Sequence, residues 1–284
     1  MTNRYLSAFV PTGVFVLLWS SGAIVSKIGL EHGSPFALLI ARYGVALAIL
    51  VAYAIWRGTL LPARGSRPRV VLVGLLIAGV YSACYLLALD NGMTPGALAT
   101  LLGVQPILTV FLTERRATAP RLFGLACALG GLTLVVFDGL AAASFDALGL
   151  LFAGLSLLGI TAGSIVQKRE TQAPWAVLPL QYGAGLAFAG AVAPFGPLHV
   201  SWDPGFLLPV LWLGLVISVG ATFLLYRLIA RGNLVNVTSL FYLVPGVTAA
   251  MDWLLLGNPM PMRALGGLAL VVVGLVIVFR QRPL

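Results

Sequence analysis

Apolar runs follow one another along almost the whole chain, separated by short stretches rich in Pro, Gly and charge. A helix that crosses a bilayer needs about 20 mostly apolar residues. Ten segments meet that measure, at residues 8–29, 36–57, 69–90, 93–114, 119–138, 147–168, 174–195, 206–229, 234–256 and 262–280. The breaks carry turn chemistry, as in Gly33-Ser34-Pro35, Arg64-Gly65-Ser66-Arg67-Pro68 and Gly257-Asn258-Pro259. None is long enough for a soluble domain. The pattern predicts an all-α integral membrane protein of ten transmembrane helices, the first of them a retained span and not a cleaved signal.

The positions of Lys and Arg orient these spans. With the N-terminus in the cytoplasm, 14 of the 17 basic residues fall on the cytoplasmic side, and only Lys27, Arg42 and Arg263 fall on the outer side. Cationic loops resist translocation, and nine or eleven spans would scramble the alternation. Both termini are therefore expected in the cytoplasm, with the chain a multi-pass protein of the bacterial inner (plasma) membrane.

The chain also repeats itself at about half its length. Ser20-Ser21-Gly22-Ala23-Ile24-Val25-Ser26-Lys27 resembles Thr161-Ala162-Gly163-Ser164-Ile165-Val166-Gln167-Lys168 at an offset of 141. Tyr85 matches Tyr226, also at 141, and Pro106 matches Pro245 at 139. Arg121, Gly124 and Phe137 match Arg263, Gly266 and Phe279 at 142. The expected units are residues 1–141 and 142–284, five helices each. Five is odd, so the second copy enters the membrane from the opposite side. Inverted repeats of this kind are common in secondary transporters, with the substrate site near the midplane between the halves.

Composition narrows the function. The chain is 60% hydrophobic with only 9% charged residues and a mean hydropathy of +1.03, against roughly 25% charged in a soluble domain. The net charge of +9 lies in short loops and not on one soluble face, so no nucleic-acid partner is expected. Cys84 and Cys127 lie inside apolar runs and read as small core residues. An enzyme would need acid, His or Cys side chains clustered at one depth. Two isolated His and eight scattered acids do not supply that cluster. No G-x-x-x-x-G-K-[ST] loop is present for ATP, and no charge ring or filter loop suggests a channel. No cofactor and no metal are expected. The partners are small-molecule substrates and membrane lipids, around a chain taken as a monomer.

A polar group in hydrocarbon must pair inside the bundle or face a wet cavity. Mid-depth candidates are Trp19, Ser20, Tyr81, Tyr85, Thr100, Gln105, Thr161, Ser164, Gln181, Tyr182, Ser218, Thr222, Ser239 and Tyr242. Gln105 stands out because Pro106 beside it removes a backbone donor and frees a carbonyl near Leu102. Its amide offers both a donor and an acceptor to a polar solute, or it bonds a neighbouring helix. Tyr242 holds the corresponding place before Pro245. Trp19, Ser20, Tyr81, Tyr85, Gln105, Ser164 and Tyr242 form the expected substrate-binding set. Pro106 and Pro245 are the expected hinges. Lys27 and Arg42 either snorkel to outer headgroups or form an outer gate, with Glu31 in reach. Asp252, near the outer end of the ninth segment, is the proton-coupling candidate. Glu114 pairs locally with Arg115 and Arg116 or couples to protons. Trp56, Trp175, Trp202 and Trp253 read as interface-belt residues, and Gly159 with Gly163 as a close-packing motif.

Several of these residues carry a family likeness. Leu18-Trp19-Ser20-Ser21-Gly22 with Lys27, Ser34-Pro35 with Arg42, Pro106, Glu114, the glycines 124, 130 and 131, and Gly266-Gly267 with Gly274 recur in order. By these the chain resembles the ten-helix EamA type of the drug/metabolite transporter superfamily over essentially its whole length. It looks most like the YddG-type exporters of aromatic amino acids. The resemblance implies a basket of helices around a central cavity, and export of Phe, Tyr, Trp or related amino acids from the cytoplasm. In the second copy Asn258 stands near where the pattern expects a Glu.

Overall fold

A computed structural model describes residues 2–114, 118–137, 146–247, 250 and 262–281, with side chains from residue 11 onward. These residues are helical, and their one β-type contact is an isolated bridge between Gly33 and Val200. Eight helices are long and apolar enough to cross a membrane. They are α1 (Pro11–His32, extended upstream to Thr2), α2 (Pro35–Trp56), α3 (Arg64–Asp90), α4 (Pro95–Thr113), α6 (Ala147–Gln167), α7 (Pro174–Phe195), α8 (Pro204–Arg231) and α10 (Met262–Arg280). Two shorter apolar helices join them, α5 (Ala119–Val135) and α9 (Leu234–Val247).

Local chemistry explains the starts. Pro35, Pro95, Pro174 and Pro204 open their helices, where the missing N–H is no loss. Thr94, Asp146, Asp203 and Asn233 cap α4, α6, α8 and α9 by accepting a backbone N–H on a side-chain oxygen. Leucines, isoleucines and phenylalanines such as Phe111, Phe123, Leu158 and Leu208 remain exposed on the helix surfaces. In water that would be costly; in lipid it is the expected outer face.

Contacts between loops sort the helix ends onto two faces. At one face His32 meets Asp203 at 3.1 Å and Gly33 bridges Val200, so the α1–α2 and α7–α8 loops adjoin. At the other, Gln172 accepts from the Ala63 amide, Arg69 pairs with Glu170 at 3.3 Å, and Arg121 reaches Asn233 at 2.7 Å. Burial alone would raise the Glu170 carboxyl, but hydrogen bonds from Gln172 and the Arg69 guanidinium outweigh it and hold the group below its ordinary value.

The largest buried cluster joins α1, α2, α3, α7 and α8. A second cluster joins α4, α5, α9 and α10. In it α5 and α10 approach backbone to backbone. A Cβ on Gly131 would lie 2.5 Å from the Gly267 carbonyl oxygen, and one on Gly267 would lie 2.6 Å from that of Gly131.

Two features break the regular helices in corresponding places. Residues Gly74–Tyr81 of α3 and Trp212–Ala221 of α8 are wound as π-helix. Each stretch is closed the same way: Ser82 Oγ donates to the Ile77 carbonyl and Thr222 Oγ1 to the Ile217 carbonyl, both at 3.0 Å. The α4 and α9 helices each break just before their proline. The α4 helix stops at Leu102 and restarts at Gln105, so Pro106 sits in the first turn of a new segment and not inside a continuous helix. The α9 helix tightens to 3-10 geometry over Leu240–Tyr242, ahead of Pro245.

Candidate functional site: the central cavity

The outer parts of the predicted set converge on one cavity between α1–α4 and α6–α9. Its volume of about 120 Å³ is room for roughly four waters. The lining is mostly apolar, with seven aromatic rings. Trp19, Tyr43, Tyr81 and Tyr85 come from α1–α3, and Tyr182, Tyr226 and Phe241 from α7–α9.

These rings brace one another across the two groups of helices. Trp19 meets Phe241 edge to face at 5.3 Å between centroids, and Tyr43 meets Tyr182 at 5.1 Å. The Tyr43 hydroxyl donates to the Ala78 carbonyl at 2.7 Å, and the Tyr182 hydroxyl shares a hydrogen bond with Thr222 at 3.1 Å. Tyr81 and Tyr85 lie 5.9 Å apart. Their hydroxyls have no protein partner among the described residues.

Gln105 lines the cavity where α4 breaks, 2% exposed, and its Nε2 donates to Ser164 Oγ at 3.4 Å. Gln181 lines it from α7, gives its Nε2 to Gln167 Oε1 at 2.9 Å, and keeps its own Oε1 unpartnered. Arg42 is the one charged side chain lining the cavity among the described residues. Its Nη2 and Nε donate to Ser218 Oγ at 3.0 and 3.3 Å, and its guanidinium lies 5.2 Å from the Tyr43 ring centre.

Of the expected substrate-binding set, Trp19, Tyr81, Tyr85 and Gln105 line the cavity. Ser164 stands behind Gln105 as its hydrogen-bond partner. Ser20 is fully buried beside it, donating to the Val16 carbonyl at 2.6 Å and the Val244 carbonyl at 3.2 Å, next to Pro245. Tyr242 packs into the α4–α5–α9–α10 cluster, 1% exposed, with its hydroxyl unpartnered. Of the expected hinge and gate residues, Pro245 lines the cavity. Pro106 follows Gln105 and is buried. Lys27 is exposed and has no partner among the described residues. Arg42 turns into the cavity and does not meet Glu31. Asp252 and Trp253 lie outside the described residues, as do Arg115 and Arg116. Thr100, Thr161 and Ser239 bond back to carbonyls of their own helices, which satisfies them without a partner across the bundle.

Three constellations were not picked out in the sequence. Tyr43 and Tyr226 line the cavity; Tyr226 carried a signal as the repeat mate of Tyr85. Arg121, counted with the loop cations, is 1% exposed. It holds Glu114 at 3.0 Å together with Asn233 at 2.7 Å and Asn236 at 3.1 Å, tying α4 and α5 to the start of α9. Lys168 Nζ donates to the carbonyls of Ile229 and Gly232, both at 2.6 Å, and of Ala230 at 3.3 Å, closing the C-terminus of α8.

A multi-pass helical bundle around a mostly apolar cavity with a few inward polar groups has the form of a membrane transporter. The EamA-like transporter family model matches this chain twice, over residues 13–137 and 143–280. The chain belongs to that family, within the drug/metabolite transporter superfamily; it is a multi-pass inner-membrane transporter and not an enzyme. It is 26% identical to a probable amino-acid metabolite efflux pump of Salmonella typhimurium, over 92% of this chain and 91% of the relative. It is 25% identical to a probable amino-acid metabolite efflux pump of Escherichia coli, over 92% and 91%. It is also 24% identical to the uncharacterized inner membrane transporter YedA of E. coli, over 67% of this chain and 64% of the relative. One crystal structure of a protein superposes with a TM-score of 0.75 at 21% identity, over 95% of this chain and 96% of the other, a likeness of fold alone.

Proposed function

We propose that this protein exports amino acids, aromatic ones among them, from the cytoplasm by alternating access. The aromatic cavity carries the reading. Seven rings offer stacking surfaces and cation–π partners for an ammonium group. Gln105 and Gln181 offer amide donors and acceptors. Two relatives bearing the name of probable amino-acid metabolite efflux pumps support the substrate class.

The transport cycle we infer is that of ten spans in two five-helix inverted repeats, residues 1–141 and 142–284, with both termini cytoplasmic. Support comes from the double family match, the paired π stretches and the paired breaks before Pro106 and Pro245. The face carrying Arg64, Arg67, Arg69, Lys168 and Arg169 is the cytoplasmic one on the positive-inside rule. The cavity lining runs toward the other face, to Ser26 near the end of α1 and Pro95 at the start of α4. The cytoplasmic face is tied shut by Arg121 and Lys168. These features support reading the state as outward-facing. Pro106 and Pro245 serve as hinges.

The test is uptake and counterflow of labelled Phe, Trp and Thr in liposomes holding the purified protein, with and without a pH gradient. Saturable counterflow of Phe and Trp is the expected result. Absence of saturable counterflow for all three would refute amino-acid transport.

A further inference from the structure

We propose that Arg42 is the anchor for the substrate's carboxylate and sets the transporter's preference for solutes that carry one. This rests on the reading of the central cavity as the substrate site.

The argument starts from cost. A guanidinium cannot discard its charge, and in a membrane-buried cavity an unpaired charge is unfavourable unless water or an anion answers it. Arg42 lines the cavity and no Asp or Glu does among the described residues. The three ion pairs of those residues are His32–Asp203, Arg69–Glu170 and Arg121–Glu114, none of which includes it. Among the described residues its one polar partner is the Ser218 hydroxyl, which engages Nε and one Nη2 hydrogen. That leaves the Nη1 side of the planar fork unused, the side that binds a carboxylate through two parallel hydrogen bonds. The Ser218 contact and the Tyr43 ring at 5.2 Å fix the guanidinium plane, so little is lost in ordering it when the anion arrives.

The rest of the cavity suits the other end of a zwitterion. Among the described residues it offers an ammonium no carboxylate, but amide oxygens such as the unpartnered Oε1 of Gln181 and the faces of aromatic rings. A cation without a carboxylate would meet the Arg42 charge with nothing to offset it. The site therefore selects zwitterions and organic anions over amines.

The experiment uses four probes of one shape in competition for counterflow by the full chain in liposomes: L-phenylalanine, 3-phenylpropanoate, L-phenylalaninamide and 2-phenylethylamine. Phenylalanine and 3-phenylpropanoate are expected to compete, and the amide and the amine to compete at least about tenfold more weakly. Arg42→Gln is expected to weaken the two carboxylates by roughly tenfold to a hundredfold, the loss of charge-assisted hydrogen bonds, and to strengthen competition by the two amines, which no longer meet its charge. Arg42→Lys should recover part of the loss. The probe ranking in the unaltered protein stands even where a variant folds poorly. Equal competition by phenylalanine and phenylethylamine, or an Arg42→Gln loss that is the same for all four, overturns the anchor while amino-acid transport survives. No competition by any of the four overturns both.

Discussion

Arg121 shows how much one side chain decides at the face that also carries Arg69 and Glu170. It is 1% exposed and bonded to Glu114, Asn233 and Asn236. Removing one member of a buried pair leaves the other charge uncompensated, which costs about 3–5 kcal/mol. Arg121→Met should lower thermal stability in detergent by that order. The double variant with Glu114→Gln should recover a good part, because the stranded carboxylate is gone. Additive losses would mean that the two side chains do not act as a pair. Glu170 makes a pH-dependent contribution at the same face. Its carboxyl is held below the ordinary 4.5, so the folded form binds its proton less readily than the unfolded chain does. That stabilisation is complete above pH 4.5 and fades as pH falls through the lowered value. Stability curves of the native protein and Glu170→Gln should therefore converge on acidification and separate toward neutral pH. Neither role showed in the sequence, where Arg121 counted among the loop cations and Glu170 among the scattered acids. Burial of a charge depends on which chain segments fold over it, and hydropathy averaged along one segment carries no such information.

At the scale of elements, the helices were legible and their irregularities were not. Eight of the ten apolar runs coincide with helices long enough to span and two with shorter apolar helices, because a lipid-facing helix must be apolar over its full length. The structure starts α3 at Arg64, five residues ahead of the hydropathy limit, because Arg64–Ser66 turn as a short 3-10 segment before the helix proper. The π stretches left no mark on hydropathy, since they change winding and not composition. The signal that could have found them is the pair Ser82 and Thr222, small hydroxyl residues at matching places in the two halves, each bonding back to an isoleucine carbonyl. Tyr43 and Tyr226 escaped for a related reason. In a soluble helix a polar face separates outside from inside, but here the lipid face and the cavity face are both apolar, so periodicity cannot say where a tyrosine points. Close packing was legible at Gly159, read with Gly163 as a packing motif, where a Cβ would lie 2.9 Å from the Tyr81 amide nitrogen. The α5–α10 contact through Gly131 and Gly267 leaves no room for a side chain. Gly131→Val should destabilise by about 1–3 kcal/mol through overpacking, read as a lower melting temperature, whereas Gly130→Ala, with its nearest neighbour 4.0 Å away, should be close to neutral. Pro106→Ala should act differently from both. It is expected to slow counterflow more than it lowers melting, since it removes a hinge and only part of one small buried ring. Normal counterflow by Pro106→Ala would remove that proline from the mechanism.

At the scale of the whole molecule, Lys27 and Lys168, matched in the sequence at an offset of 141, are in different states. Lys168 caps the last carbonyls of α8 with three hydrogen bonds. Lys27 is exposed, and the equivalent carbonyls at the end of α3, those of Ala88 and Leu89, bond the Met93 and Gly92 amides of the following turn. If the halves exchange conformations during transport, the lysines exchange roles: Lys27 caps α3 when the outer face closes, and Lys168 lets go of α8 when the inner face opens. Hydrogen bonds from a charged group contribute about 1.5–3 kcal/mol, enough to shift a two-state equilibrium by roughly tenfold to a hundredfold. Lys168→Met should therefore populate the inward-facing state, and Lys27→Met should populate the outward-facing state further. A cysteine placed at Pro95, in a background without Cys84 and Cys127, reports the outer opening by its reaction with a membrane-impermeant thiol reagent. The reaction should slow in the Lys168→Met background and quicken or hold in the Lys27→Met background. Equal rates in both would mean that the lysines close helix ends without taking part in the gates. The opposite order would mean that the face tied by Lys168 is not the closed one.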